Sequence, residues 1–377
     1  MSEILPREPH AEKLARLKPL VLKAPVLRAR RRRIERLRLA TQLVSLAVVA
    51  WIGLRFVQWV AGLEAGDLSA VRPPGVEGFL PISSLMTLRH WIESGELSRV
   101  HPAGLVILLL AIATGVLLKK AFCSWICPIG TLSELLADAG RRLFGRTLAP
   151  PRWLDLPLRG LKYALLAFFA WTIFAVMGPR EIAAFLDSPY SRVADVKMLY
   201  FFEQATPGAL KVMAGLALLS LVIPYFWCRY LCPYGALLGL ASLLSPFKVT
   251  RHAESCIDCG LCTKACPSRL PVARLSRVRS DECFGCLSCV AACPVPIALR
   301  MEAPRPVARP LRPAAFAALV ALLFLGTIAV GRLSGHWRTS VSDEEYAARV
   351  KELDGPAYGH FRGRLPAAEP ADAQTVR

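Results

Sequence analysis

The stretch Pro102–Gly130, PAGLVILLLAIATGVLLKKAFCSWICPIG, holds the pattern that decides the fold. Its first part, Pro102–Leu118, carries no charge and is about the length needed to cross a bilayer core as a helix. Lys119 and Lys120 close the run. Two cysteines four residues apart follow, Cys123 and Cys127, and then Pro128. A second copy, CRYLCPYG (Cys228–Gly235), closes another apolar run 105 residues later. Helix positions i and i+4 share a face, so Cys123 and Cys127 are expected to point the same way, as are Cys228 and Cys232. Pro128 and Pro233 disfavour the α conformation in the residue before them, so each pair is predicted to form the last turn of its helix or the turn just beyond. Gly130 and Gly235 are expected to permit a sharp exit. Thr131 and Glu134 read as a capping box. The helix that follows has Leu132, Leu135, Leu136, Ala139 and Leu143 at helical spacing, with Arg141 and Arg142, as in a helix lying along a membrane interface.

The chain has 377 residues, 54% of them hydrophobic, and a mean hydropathy of +0.41. The apolar excess falls in five runs: Leu39–Val60, Pro102–Leu118, Leu161–Met177, Ala209–Trp227 and Ala314–Val330. A soluble enzyme would have to bury all five as core helices, so the expected fold is an α-helical membrane protein. Its five transmembrane helices are read as two repeated hairpins plus one, the repeats related by an axis along the membrane normal. The repeat brings both cysteine pairs to one membrane face.

Formal charge is +19. Its distribution argues for topology rather than for nucleic-acid binding. Residues 1–40 carry 12 Lys+Arg, residues 119–162 carry 8 and residues 228–313 carry 12; residues 63–100 and 179–208 carry three each, against five and four acids. Lys and Arg accumulate on the cytoplasmic side. The N-terminus and both cysteine copies are therefore expected inside and the C-terminus outside. The basic run before the first span reads as an uncleaved signal anchor. The expected organisation is a basic cytoplasmic N-terminus (1–38), a four-helix membrane region with both CxxxCP copies (39–248), an iron–sulfur domain (249–305), a fifth transmembrane helix (314–331) and a periplasmic tail (332–377).

All 12 cysteines fall in motifs. CIDCGLCTKACP (Cys256–Pro267) and CFGCLSCVAACP (Cys283–Pro294) both read C-x2-C-x2-C-x3-C-P, the spacing of ferredoxins that bind [4Fe–4S] clusters. Zinc ribbons use CxxC pairs without this proline, and disulfides do not suit a cytoplasmic segment. In two-cluster ferredoxins the fourth cysteine ligates the other cluster. Carried over, one cluster takes Cys256, Cys259, Cys262 and Cys293, and the other takes Cys283, Cys286, Cys289 and Cys266. This domain is expected to be ferredoxin-like α+β. Gly260 and Gly285 stand where the backbone passes close to a cluster or takes positive φ. The CxxxCP thiols Cys123, Cys127, Cys228 and Cys232 are a candidate metal site whose occupant stays open: another iron–sulfur centre, a soft metal such as Cu(I) or Zn, or two dithiol/disulfide pairs.

Two CxxxCP motifs at the ends of apolar runs, followed by a two-cluster segment, resemble the NapH/NosR-type polyferredoxins over about residues 40–300. More distantly the chain resembles the CcoG-type proteins. The first resemblance implies a bacterial inner-membrane iron–sulfur protein moving electrons between the quinone pool and protein redox partners, as the electron-transfer subunit of a quinol-dehydrogenase-like system. The second implies copper reduction in cytochrome oxidase assembly. A third reading is an iron–sulfur redox sensor. NosR-type proteins carry a flavin-binding domain before their first spans, whereas about 38 mostly charged residues stand there in this sequence. The CcoG-type immunoglobulin-like domain is replaced by a fifth span and a short tail, in which SDEEYAARVKEL is expected to form one helix and the end to be disordered. Membrane lipid, quinone or quinol and protein redox partners are the expected partners, with no nucleic acid. His90 and His101 flank the second run and read as interfacial residues.

Overall fold

The computed structural model describes residues 10–145, 148, 150–304 and 309–359. Helices dominate. Three are long and apolar enough to cross a membrane: Ala24–Ala65, Trp153–Val176 and Pro313–Leu333. A fourth span results if Ala194–Glu203 and Pro207–Val222, bent by 83° at their junction, count as one. Pro102–Leu118 is apolar but has only 17 residues. Length and composition thus support three or four of the five expected spans. The two short helices have a local cause. Lys119 (φ 63°) and Tyr225 (φ 58°) take the left-handed conformation, which ends an α-helix, so the run Ala209–Trp227 is a helix only to Val222. The basic arm is continuous with the first span, since Arg30–Arg33 lie within the helix Ala24–Ala65.

These helices are not a soluble core. The most apolar windows of the three long ones are only 17%, 11% and 22% buried. Leu54, Trp171 and Leu325 are each about two-thirds exposed. Large apolar side chains turned outward along long helices require an apolar solvent, and the chain is a membrane protein.

The chain divides into two compact units. One comprises Met1–Leu46, Ile112–Lys162 and Leu218–Leu323. Within it both CxxxCP segments lead into helices, Pro128–Phe144 and Pro233–Ala241. The first of these starts three residues before the expected cap. It turns Leu132, Leu135 and Leu143 outward and buries Gly130, Thr131, Ser133, Ala137 and Gly140. A Cβ on Gly140 would stand 1.8 Å from the carbonyl oxygen of Leu221, so only glycine permits this helix contact. A small antiparallel sheet brackets the iron–sulfur segment: Lys248–Arg251 pairs with Leu299–Glu302, with Val249 opposite Met301, and Leu299–Glu302 pairs with Pro310–Leu311. This is the expected α+β character.

The other unit comprises Ala47–Ala111, Tyr163–Ala217 and Phe324–Arg377. Its core joins Phe56, Trp59 and Leu63 to Val193, Val196, Tyr346 and Val350. The tail does form the expected helix, Asp343–Val350, capped by Ser342, whose side chain accepts from the Glu345 N–H. Trp59 meets Tyr346 edge-on at 4.8 Å and donates to Asp343 at 3.1 Å. Buried Arg72 bridges Glu77 and Asp195 at 2.9 and 2.7 Å. His101 is buried, with Nε2 at 2.6 Å from the Ser191 carbonyl oxygen. The expected disorder at the chain's end falls on 360–377, outside the described residues.

Candidate iron–sulfur sites

The two ferredoxin-type loops follow one backbone path. In each, the residues just before and just after the second cysteine take positive φ: Asp258 (52°) and Gly260 (72°) around Cys259, Gly285 (64°) and Leu287 (60°) around Cys286. Each loop spends a single glycine on these two positions, and not the same one. This path turns the side chains inward on a shared space. One cavity is lined by Cys256, Cys259, Cys262 and Cys293. Another is lined by Cys266, Cys283, Cys286 and Cys289. Each fourth cysteine therefore stands with the other loop's three.

The chemistry of these thiols fits an iron–sulfur group. Burial pushes the Cys266 thiol up to about 12 and that of Cys293 up to about 11. Thiols so placed do not ionise alone at neutral pH; a bound cationic metal makes the buried thiolate stable. Arg30 reaches the Cys293 carbonyl at 2.9 Å, and the Leu22 N–H donates to the Pro294 carbonyl at 2.9 Å, so the basic arm is tied to this loop. Cys259 is exposed, whereas Cys286 and Cys289 are buried. The first cavity thus meets solvent directly at Cys259, whereas the second has no fully exposed cysteine and is reached only at half-buried Cys266 and Cys283.

The CxxxCP copies share a more unusual geometry. After the left-handed residue comes one π turn, Phe122–Ile126 or Trp227–Leu231, not the expected α turn. It is closed by i→i+5 bonds, from the Cys127 N–H to the Phe122 carbonyl (2.8 Å) and from the Cys232 N–H to the Trp227 carbonyl (3.0 Å). The second cysteine of each copy is then extended (ψ 124° and 108°), as the following proline requires, and stands at the N-cap of the next helix. The Sγ of Cys232 accepts the Gly235 N–H at 3.2 Å, which only partly offsets the burial that pushes this thiol's pKa up. Gly130 and Gly235 are not exits. Both lie in the first turn of a helix, where Gly130 keeps clear the Cys123 carbonyl, 1.9 Å from where its Cβ would be. Nor does the capping box form. Cys127 holds the N-cap position without a side-chain cap hydrogen bond; Thr131 donates to the Cys127 carbonyl at 3.2 Å, and Glu134 accepts from Arg38 and, at 2.8 Å, from Gln42. The four thiols form one electrostatic neighbourhood, in which Cys228 feels Cys123, Cys127 and Cys232, and Cys228 Sγ lies 3.8 Å from Ser133 Oγ of the first copy.

Sequence reasoning missed what lies between these sites. Ser124, next to Cys123, donates to the carbonyl of Phe284, next to Cys283, at 2.7 Å. The Trp125 indole donates to the Gly285 carbonyl at 3.3 Å. Tyr225 stacks on the Phe284 ring at 5.1 Å, and the Lys120 ammonium stands 4.8 Å from the same ring's centre. Lys119, Lys120 and Lys162 count toward the topology signal in the sequence, yet all three are fully buried. Lys119 donates to the carbonyls of Ser242 and Ser280 at 3.2 and 3.1 Å, Lys162 pairs with Glu282, and Lys120 Nζ has no hydrogen-bond partner among the described residues. Unscreened ammoniums are costly to bury without nearby negative charge, which points to anionic groups at the neighbouring cysteines.

Residues 100–147 and 206–252 each match the family described as "4Fe-4S binding domain", and residues 248–294 match "4Fe-4S dicluster domain". The chain is 47% identical over 329 residues to "Putative electron transport protein YccM" of Escherichia coli, covering 86% of this chain and 91% of that one. NirI of Paracoccus denitrificans is 32% identical over 55% of this chain and 30% of its own length. The ferredoxin-type protein NapH of Haemophilus influenzae is 29% identical over 44% of this chain and 52% of its own. The chain belongs to the NapH/NosR-type iron–sulfur membrane proteins. No solved structure matches it. As in this family's two matched domain types, each CxxxCP segment falls within one "4Fe-4S binding domain" match and the two ferredoxin-type loops share the dicluster match.

Proposed function

We propose that this chain is a membrane-bound electron-transfer protein that shuttles electrons between the quinone pool and a respiratory redox partner. It would do so as a subunit of a quinol-dehydrogenase-like system in the bacterial inner membrane. Cys256, Cys259, Cys262 and Cys293 hold one [4Fe–4S] cluster; Cys283, Cys286, Cys289 and Cys266 hold the second. Cys123, Cys127, Cys228 and Cys232 hold a further iron–sulfur centre. Each CxxxCP pair lies within a match to a 4Fe-4S binding domain, which supports an iron–sulfur group there over lone Zn or Cu(I). Five spans, with N-terminus and clusters cytoplasmic and the tail periplasmic, follow from the charge alternation. When bound, the clusters supply reversible one-electron chemistry.

The observation that carries this reading is the Ser124–Phe284 hydrogen bond. It joins the residue beside one CxxxCP thiol to the residue beside one ferredoxin-type thiol, making them parts of a single assembly. Around it Lys119 and Lys120 offset the negative charge of iron–thiolate groups, and the Phe284 ring is buried beneath Tyr225. Cys259, at the solvent edge, suits exchange with a protein partner. The test is anaerobic purification with iron, sulfide and copper analysis and EPR, on the unsubstituted chain and on a Cys123→Ser, Cys228→Ser double variant. Iron beyond the two ferredoxin-type clusters, lost in the double variant, is expected. Loss of copper with iron unchanged would replace the reading with a copper-handling one.

A further inference from the structure

A cavity of about 710 Å³ opens in the first unit against the second ferredoxin-type site. Its wall includes Cys266 itself and Ser288, the neighbour of Cys289. Its polar centre is Glu134, whose carboxylate is held by Arg38, by Gln42 at 2.8 Å and by the Tyr225 hydroxyl. Apolar surface comes from Leu39, Leu135 and Pro224. These residues share a level in the sequence. Leu39 begins the first apolar run, Pro224 and Tyr225 close the fourth, and Leu135 belongs to the helix with outward leucines. Exposed Arg32, Arg36 and Lys264 line the same cavity, as expected at the height of lipid head groups.

We propose that this cavity binds a quinol head group and that Glu134 takes its protons; the proposal rests on the quinone exchange argued above. The volume lies in the range of small-molecule sites, and the lining mixes apolar walls with a few converging polar groups. A flat ring beside Tyr225 has both hydrogen-bonding partners and a redox neighbour, because Tyr225 stacks on Phe284 of the cluster loop. Oxidation breaks both quinol O–H bonds and leaves the quinone, two protons and two electrons. Each proton passes to the Glu134 carboxylate and on to water in the open cavity. The two electrons would leave singly to the one-electron iron–sulfur group that Cys266, Cys283, Cys286 and Cys289 would hold, Cys266 itself lining this cavity.

The full chain, isolated anaerobically with its iron, is mixed with decylubiquinol or a short-chain menaquinol, and reduction is followed by absorbance and EPR. Glu134→Gln is expected to slow quinol-driven reduction on the order of 100-fold, and Leu39→Trp, which narrows the cavity while leaving the Glu134 carboxylate in the chain, to slow it too. The dithionite-reduced spectra of both variants stay as in the unsubstituted chain. An azidoquinone photolabel, applied with or without iron, is expected within residues 128–144 and 224–227 and to be displaced by excess quinone. Equal rates in the unsubstituted chain and both variants overturn the cavity assignment and leave the quinone reading standing. No quinol reduction of the unsubstituted chain sinks both. Label displaced by phosphatidylglycerol but not by quinone assigns the cavity to anionic lipid and overturns the proposal.

Discussion

The two CxxxCP copies share a scaffold and differ in what they grip. Both run from a left-handed residue through a π turn to an extended cysteine and a proline-started helix. The residues between the cysteines then part company. In the first copy Ser124 and Trp125 donate to the backbone of the cluster loop at Phe284 and Gly285. At the same two positions in the second copy, Arg229 and Tyr230 hold Asp155, and Arg229 also reaches the Ser268 carbonyl at 3.0 Å, two residues past Cys266. One copy is tied by neutral hydrogen bonds and the other by a buried ion pair. Both end on the second ferredoxin-type site. The repeat therefore sets where the sulfurs stand, and the intervening residues set what each sulfur pair is fastened to.

The glycines offer the sharpest way to break the symmetry. A Cβ on Gly130 would meet the Cys123 carbonyl at 1.9 Å, whereas on Gly235 the nearest atom, the Cys228 carbonyl oxygen, is 3.3 Å away. Gly130→Ala is expected to abolish folded protein, beyond the roughly 1–3 kcal/mol of ordinary overpacking, while Gly235→Ala stays at or below the low end. Thermal unfolding in detergent, with size-exclusion yield, separates them. Next in size, Asp155→Ala leaves Arg229 buried without its carboxylate and should cost about 3–5 kcal/mol, which the same melts read. Its counterpart in the first copy, Ser124→Ala, removes one neutral hydrogen bond and should cost about 1 kcal/mol. If the two losses were equal, the contrast between an ionic and a neutral tie would be wrong.

The smallest effect concerns charge rather than stability. Lys120→Met removes a buried positive charge near Cys123 and Cys283. A reduced cluster is more negative than an oxidised one, so losing the cation makes reduction harder. The midpoint potential should fall by an amount worth on the order of 1 kcal/mol per electron at an effective dielectric near 20. EPR-monitored redox titration checks the sign. An unchanged potential would mean that Lys120 packs against Phe284 without tuning any centre.

Much was legible in the residue order because it is local. Helices, the cysteine spacings, the positive-φ need at Gly260 and Gly285 and the tail helix depend on residues within a few positions of one another. A CxxCxxC loop brings its own three sulfurs together wherever it folds. The π turn escaped notice because CxxxC suits an α turn equally well; the break comes from left-handed Lys119 and Tyr225, residue types with no strong preference for that conformation. Tertiary structure alone decided that Lys119 and Lys120 are buried and that Phe284 is where Ser124, Tyr225 and Lys120 meet. It alone decided that Glu134 serves a cavity rather than a helix cap. Each of these joins residues tens to more than a hundred positions apart. A lysine beside an apolar run looks the same in sequence whether it faces water or an anionic site, since only the packed neighbours set its solvation.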